Sequence, residues 1–207
     1  MNRLLLVAAA ASIVLVGCNK NRQQSEAPKE LQSQQQGEPQ MPPGHPDISA
    51  ASGGNSVAGV QWAVPTGWKE GPPKQMRVAT YVIPAAAGDE EGGELGVFYF
   101  GSGQGGDVQT NIDRWVGQFE NARPNQTAKT VNGMKVELIT IAGTYLSPSG
   151  PMMQSSGKKE NYKLLGAIVA APEGSVFFKL TGPEKTVNAA RKDFDGLVGS
   201  LATDSTD

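Results

Sequence analysis

The chain contains one cysteine, Cys18, so no disulfide within a molecule can stabilise its fold. Any folded domain must therefore be held together by an apolar core. Large apolar residues are nearly absent from residues 19–58, which are rich in glutamine, proline, serine and glycine, and such a composition cannot offset the entropy lost on ordering. The core must then come from residues beyond 58, and a domain of roughly 140 residues can bury well over half of its unfolded surface.

The residues around Cys18 have the pattern of a bacterial lipoprotein signal. Arg3 precedes an apolar run from Leu4 to Val16, which is shorter than the roughly 20 residues that a membrane-spanning helix needs. The sequence Leu-Val-Gly-Cys that ends at Cys18 resembles the lipobox, and this resemblance implies cleavage before Cys18 and a diacylglycerol thioether on its sulfur. Two or three acyl chains, palmitate among them, give stable anchoring. We therefore predict a signal peptide at residues 1–17 and a lipid on Cys18.

This pattern also predicts the location and the order of domains. We expect a lipid-anchored protein of the cell envelope. Because Asn19 is not the aspartate that retains some lipoproteins at the inner membrane, the outer membrane is favoured in a bacterium with two membranes. Residues 18–58 are predicted to be a disordered tether with a reach of about 35 Å, residues 59–203 a single globular domain, and residues 204–207 a disordered tail. The alternative is a secreted protein in which Cys18 is a free, reactive thiol.

Apolar patterning within residues 59–203 predicts a series of strands and two helices. Asn132-Gly133 is a strong signal for a two-residue hairpin turn. Asp107 can cap a helix that runs to about Asn121, and Gly182-Pro183 opens a last helix that ends near Leu201. Strands are predicted at Val60–Val64, Met76–Ile83, Glu94–Phe100, Val136–Tyr145, Leu164–Ala170 and Val176–Leu180, with a polar loop at 147–161. This order favours an α+β domain with a mainly antiparallel sheet flanked by two helices.

Several segments of the domain resemble a family of exported bacterial proteins that we associate with planctomycete-type genomes. The segments are Trp62–Trp68, Met76–Tyr81, Asn111–Phe119, Gly143–Tyr145 and Thr181–Val187. More remotely, Pro65-Thr66-Gly67-Trp68 and a final helix that ends in Gly-Ser-Leu are similar to Mog1/PsbP-like domains. Both resemblances imply a fold, in the second case an antiparallel sheet between helices, and neither implies an activity.

The folded domain lacks the residue types that most often carry catalysis. The only histidine, His45, lies in the predicted tether, so the domain contains neither histidine nor cysteine. Zinc sites built on these residues and histidine-based nucleophilic catalysis are thereby excluded within the domain. The segment 101–106 matches G-x-G-x-x-G, but a hairpin follows its helix and Asp107 would repel a phosphate. We interpret this segment as a strand-to-helix connection.

Two groups of residues are candidates for binding a partner. Asn111, Arg114 and Gln118 are predicted to share the outer face of the first helix, either as a polar recognition patch or as a solvated surface. Met152 and Met153 lie in the 147–161 loop, where they form a soft apolar contact for a partner or fold back over the sheet edge. The acidic stretch from Asp89 to Glu94 lacks the ligand spacing of a known calcium loop, so we predict a solvated hairpin tip.

These observations favour a non-catalytic binding or assembly module without a metal or cofactor. Its expected partners are the membrane, through the lipid, and an envelope protein or glycan. A net charge of −2 with mixed signs gives no basic stripe for nucleic acid. One alternative is a hydrolase that uses paired carboxylates or a Ser-Lys pair drawn from Ser149, Ser155, Ser156, Lys158 and Lys159. Another is a structural surface protein that associates with copies of itself.

Overall fold

A computed structural model describes residues 54–149 and 154–204, without the side chains at positions 148, 149 and 154–156. Contacts within the chain divide it into residues 1–40 and residues 41–207, and all of the described residues belong to the second unit. The predicted signal peptide, Cys18, most of the tether and the Met152-Met153 pair lie outside the described residues. None of the helices in the described ranges is long and apolar enough to cross a membrane.

The described residues form ten strands and three helices. In chain order these are β1 (Ser56–Val57), β2 (Val60–Gln61), β3 (Lys69–Glu70), β4 (Ala79–Ile83), β5 (Gly93–Tyr99), α1 (Val108–Val116), β6 (Phe119–Val131), β7 (Met134–Ser149), β8 (Gln154–Ala171), β9 (Gly174–Pro183), α2 (Glu184–Ala189), α3 (Arg191–Gly199) and β10 (Ala202–Thr203).

Seven strands form one antiparallel sheet in the order β3-β4-β5-β9-β8-β7-β6. The turn between β6 and β7 is the predicted hairpin: Asn132 and Gly133 both have positive φ, at 47° and 83°, as a type I′ turn requires. Pro124 lies in β6 at the edge of the sheet, where a residue without an N–H group is tolerated. The α+β fold with a mainly antiparallel sheet is therefore confirmed.

The sheet is covered on both faces, which explains why its central strands are almost continuously apolar. Phe177 and Phe178 are neighbours in β9 and belong to opposite clusters. Phe178 packs in the larger cluster, beneath Val187 of α2 and Phe194 of α3. Phe177 packs in the smaller cluster with Ile112 and Trp115 of α1. The nine-residue helix α1 covers only part of its face, and this leaves room for a cleft.

A second, three-stranded sheet joins the two ends of the described domain. Strand β2 pairs with β1 on one side and with β10 on the other. Ala58 is buried, and the N–H of Asp204 donates to the carbonyl of Gly59 at 3.0 Å. The folded domain therefore begins at about residue 56 and reaches residue 204. The order of residues 56–58 and of Asp204 comes from contacts with distant parts of the chain, which no local pattern of the sequence records.

The predicted strands Val60–Val64 and Met76–Ile83 are shorter in the structure, and three other predicted elements differ more. Helix α1 ends at Val116, not near Asn121, because Gly117 caps it and Phe119 starts a strand that pairs with Tyr145. The predicted loop at 147–161 is largely a continuation of the β7–β8 pair, since an antiparallel partner outweighs weak local β propensity. The single last helix is two helices that meet at Ala190, and this break brings both apolar stripes onto the sheet. The sheet is thus flanked by three helices rather than two.

Candidate functional site

A cleft of about 510 Å³ opens on the part of the sheet that α1 leaves uncovered. Strands β5, β8 and β9 contribute its floor, and the loop between β4 and β5 contributes one wall. The aromatic residues that line it are Phe98, Tyr145 and Tyr162. Six charged side chains also line it, four of them cationic and two of them carboxylates: Lys74, Arg77, Lys159, Lys179, Glu91 and Glu94. We call this cavity the Lys179 cleft.

Lys179 occupies the centre of the sheet, where a charged residue is unusual. Its cross-strand neighbours are both glycines, Gly96 on β5 and Gly166 on β8. The ring of Trp115 occupies the space over Gly166, and Arg77 and Phe98 occupy the space over Gly96. The two absent side chains therefore make room for Trp115, Arg77 and Phe98 on either side of the lysine.

The Lys179 ammonium is held by neutral partners. Its Nζ donates to the Oε1 atom of Gln118 at 2.5 Å and lies 5.8 Å from the centre of the Tyr145 ring. Burial, followed by repulsion from Arg77, lowers the pKa of Lys179 to about 8, although Glu94 acts in the opposite direction. Among the described residues, no carboxylate forms an ion pair with Lys179. The cleft thus contains a half-buried cation that has no counter-ion in the part of the chain that the structure describes.

One carboxylate in the cleft neutralises two of the other cations. The Oε2 atom of Glu94 lies 2.5 Å from Lys74 Nζ, and its Oε1 atom accepts from Arg77 at 2.8 Å. Burial alone would raise the pKa of Glu94, but the hydrogen bonds from Lys74 and Arg77 outweigh it and hold the pKa below its ordinary value. The Arg77 guanidinium also lies 5.4 Å from the centre of the Phe98 ring. Glu94 is therefore an ionised clamp for these two cations.

The other carboxylate, Glu91, lies in the loop between β4 and β5 and joins this wall to strand β8 of the floor. Both oxygens of Glu91 accept from Lys159, at 2.9 and 2.7 Å, and one also accepts from the Tyr162 hydroxyl. The hydrogen bonds from Lys159 and then Tyr162 lower the pKa of Glu91, and the bond to Glu91 raises the pKa of Lys159. The rings of Tyr145 and Tyr162 are stacked with their centres 5.7 Å apart. This network fixes two flat aromatic surfaces beside the cations.

The loop that carries Glu91 is anchored by a helix terminus. Pro183 precedes α2 and offers no side-chain cap. Asp89 takes that role: its Oδ2 accepts from the backbone N–H and the hydroxyl of Thr186, at 2.9 and 2.7 Å. The predicted solvated hairpin tip is thus a hairpin loop whose acidic residues are used for capping and ion pairing. Among the described residues, no group of three histidine, cysteine or acidic side chains is placed to hold a metal ion.

The predicted patch of Asn111, Arg114 and Gln118 does not form one exposed surface. Asn111 is 3% exposed, and its Nδ2 donates to the carbonyls of Gly105 and Asp107 at 2.8 and 2.9 Å. Arg114 is exposed and donates to Asn111 Oδ1 at 3.0 Å. Gln118 lies beyond the end of α1 and contacts Lys179 instead. The expectation that Asn111 faces outward is therefore wrong, because it ties the glycine-rich loop to the helix.

The segment 101–106 connects β5 to α1, as predicted. Asp107 caps the helix, accepting from the N–H of Thr110 at 2.9 Å. At Gly105, which has φ of 89°, a Cβ would lie 2.8 Å from Phe100. Glycine at position 105 therefore lets the backbone pass close to the aromatic core. The loop serves packing in this structure, and its helix N-terminus is occupied by the Asp107 carboxylate.

The hydrolase alternative finds little support in the Lys179 cleft. A general acid among paired carboxylates has a raised pKa, whereas the pKa values of Glu91 and Glu94 are both lowered. The lysines of the proposed Ser-Lys pair are engaged elsewhere, Lys158 with Glu120 at 2.7 Å and Lys159 with Glu91. The side chains of Ser149, Ser155 and Ser156 lie outside the described residues.

Sequence reasoning missed Lys179, although a signal was present. The run Val176–Leu180 is apolar except for this one lysine, and a strand that is apolar on both faces must be covered on both faces. An ionisable residue in such a run is forced toward the interior, where it needs a special environment. Gly166 faces Lys179 across the β8–β9 hairpin, but Gly96 comes from a distant part of the chain, so no local pattern could reveal it.

Comparisons with known proteins leave the family open. No family model and no curated protein matches the sequence. Among solved structures, the chain is similar to the solution structure of cyanobacterial PsbP (CyanoP) from Synechocystis sp. PCC 6803. The two share 13% identity with a TM-score of 0.44, over 73% of this chain and 96% of that chain. A likeness of this size carries no argument about function, so the similarity to Mog1/PsbP-like domains stays a prediction.

Proposed function

We propose that this protein is a lipid-anchored binding module of the bacterial cell envelope, and that its Lys179 cleft binds a carboxylate without catalysing a reaction. The observation that carries the binding proposal is the cation Lys179, which lies half-buried beside stacked tyrosines without a described counter-ion. A buried charge is costly unless it is paired. A bound anion would supply the missing partner.

The lining of the cleft favours a small carboxylate or one carried on a larger partner. Four cations against two carboxylates leave a positive excess, and the aromatic walls offer apolar contact to the body of a ligand. A volume of about 510 Å³ fits a small organic acid or one acidic sugar unit of an envelope glycan. Both sources present the same group to Lys179, and binding measurements distinguish them.

Replacement of Lys179 by glutamine is expected to weaken carboxylate binding about 10- to 100-fold, because a charge-assisted hydrogen bond is worth about 1.5–3 kcal/mol. Isothermal titration of the full chain with succinate and with trigalacturonate measures the effect for a free acid and for an acidic glycan. Lys192→Gln, on the exposed side of α3, is the matched control and should bind as the unchanged protein does. Equal affinities in all three proteins, or no binding of either probe, would refute the proposal.

Binding is also expected to weaken as the pH rises above about 8. The protonated amine binds the anion, so affinity is full below the pKa of Lys179, about 8, and falls as the proton is lost. The groups around it do not titrate in this range: the pKa values of Glu91 and Glu94 are lowered and those of Tyr145, Tyr162 and Lys159 are raised. A flat profile between pH 7 and 9.5 would contradict this role of Lys179.

The anchoring proposal rests on the sequence around Cys18. Two acyl chains or more bind a bilayer stably, so the mature protein should partition into detergent, and a Cys18→Ser variant should lose this behaviour. Mass spectrometry of the N-terminal peptide checks the thioether directly. An unmodified cysteine in the mature chain would overturn the anchoring proposal and leave the binding proposal intact.

A further inference from the structure

Lys179 differs from the other lysines of the described domain in its surroundings. Lys74, Lys135, Lys158, Lys159 and Lys163 each form an ion pair with a carboxylate. Lys179 instead lies among a carboxamide oxygen, an aromatic ring and the Arg77 guanidinium. A lysine that is partly desolvated and close to another cation is the type of amine that forms imines with carbonyl compounds.

The amount of reactive amine follows from the shifted pKa. At pH 7 about one-tenth of an amine with a pKa near 8 is neutral, against roughly one in 2,500 for an ordinary lysine. Only the neutral form attacks a carbonyl carbon. Lower basicity reduces the attacking power of each neutral amine, but by less than this gain in population, so Lys179 should react faster than an exposed lysine.

The cleft can hold the rest of such a ligand. Lys74 and Arg77 lie in the same cavity as Lys179, and both are bound through a single carboxylate, Glu94. Their remaining N–H groups are available to a second carboxylate, since lysine has three donors and arginine five. A carbonyl group next to that carboxylate would then lie in the same cavity as the amine.

We propose that Lys179 captures a carbonyl compound with an adjacent carboxylate, such as a 2-oxo acid, as a reversible imine. This inference rests on the proposed carboxylate binding: the Lys179 ammonium attracts the carboxylate, and Lys74 and Arg77 hold it once the amine has lost its proton. The neutral Nζ forms a bond to the carbonyl carbon and gives a carbinolamine. Both hydrogens of the amine leave with the former carbonyl oxygen as water, and a C=N bond remains. Hydrolysis reverses the step, so the ligand is held and released without turnover.

Reductive trapping of the full chain with glyoxylate and cyanoborohydride at pH 7 tests the proposal. Cyanoborohydride reduces the imine to a stable secondary amine, and peptide mass spectrometry gives the initial rate at each lysine. We expect Lys179 to be labelled at least 10-fold faster than Lys192. Glycolate, which has the carboxylate but no carbonyl, should slow labelling of Lys179 and leave Lys192 unchanged.

Two comparisons separate this proposal from carboxylate binding itself. Formaldehyde has a carbonyl but no carboxylate, so its preference for Lys179 over Lys192 should be several-fold smaller than that of glyoxylate. Calorimetry of the unchanged protein with glycolate measures carboxylate binding by itself, because glycolate has no aldehyde or ketone group that could form an imine. Slow labelling of Lys179 with intact glycolate binding would overturn the imine and leave the binding function standing. Equal preference for both aldehydes, without protection by glycolate, would overturn both.

Discussion

Replacement of Gly166 by alanine is expected to destabilise the domain by about 3 kcal/mol, at the upper end of the range for overpacking a core. A Cβ at this position would lie 2.3 Å from Cζ3 of Trp115 and 2.6 Å from Cγ2 of Ile139. Both neighbours are buried, at 6% and 3% exposure, so neither can move into solvent without loss of core contacts. Relief requires α1 to move away from the sheet.

The Gly166 prediction has two controls. Gly196 lies in α3 with nothing within 4 Å of its missing Cβ, so Gly196→Ala should stabilise by about 0.5–1 kcal/mol through helix propensity. The double variant Gly166→Ala with Trp115→Leu should be less destabilised than the sum of its single variants, because the clash is removed. Urea denaturation of the unchanged protein, the three single variants and the double variant measures these effects. Unchanged stability in Gly166→Ala would show that Trp115 is not seated on this glycine.

Replacement of Trp62 by alanine is expected to cost about 3–5 kcal/mol, the usual range for loss of a buried aromatic side chain. Trp62 is 2% exposed, and its ring meets Phe178 edge-on with the ring centres 5.2 Å apart. Its indole N–H donates to the Tyr81 hydroxyl at 3.1 Å, and burial raises the pKa of Tyr81 although this bond acts to lower it. Trp62 therefore joins the small sheet to the core of the large one.

Conservative variants separate packing from hydrogen bonding at this position. Trp62→Phe keeps an aromatic ring and should cost less than Trp62→Ala. Tyr81→Phe leaves the buried indole N–H without its acceptor and should cost about 1–3 kcal/mol. The double variant Trp62→Phe with Tyr81→Phe lacks both the indole N–H and the hydroxyl, so its loss of stability should be smaller than the sum of the losses in the two single variants. Additive costs in thermal or urea unfolding would contradict the hydrogen bond between Trp62 and Tyr81.

Local patterns predicted the strands more accurately than the helix ends. The Asn132-Gly133 turn and the strand Leu164–Ala170 appear as expected, because turn chemistry and two-sided burial leave a direct mark on the sequence. The predicted first helix is longer than α1 because Phe119 continues the apolar spacing of a helix. In the structure this residue packs on Tyr145, with ring centres 5.1 Å apart, from the first position of a strand.

The candidate site was predicted less accurately than the strands. Of the described residues predicted to bind a partner, only Gln118 contacts Lys179, and it does so from beyond the end of its helix. Asn111 has the polarity of a recognition residue, but its role is to tie a loop to a helix. Polarity at a helical position does not separate these roles, since both need a side chain that forms hydrogen bonds.

The sequence alone determined that the domain must be a disulfide-free α+β fold with an antiparallel sheet, because it has one cysteine, apolar strands and short turns. It also determined the absence of histidine and cysteine chemistry from the domain. Only the tertiary structure decided where a site could form. Gly96 is far from Lys179 in the chain and meets it through strand pairing, and the environment of an ionisable group depends on such distant neighbours as well as on adjacent residues.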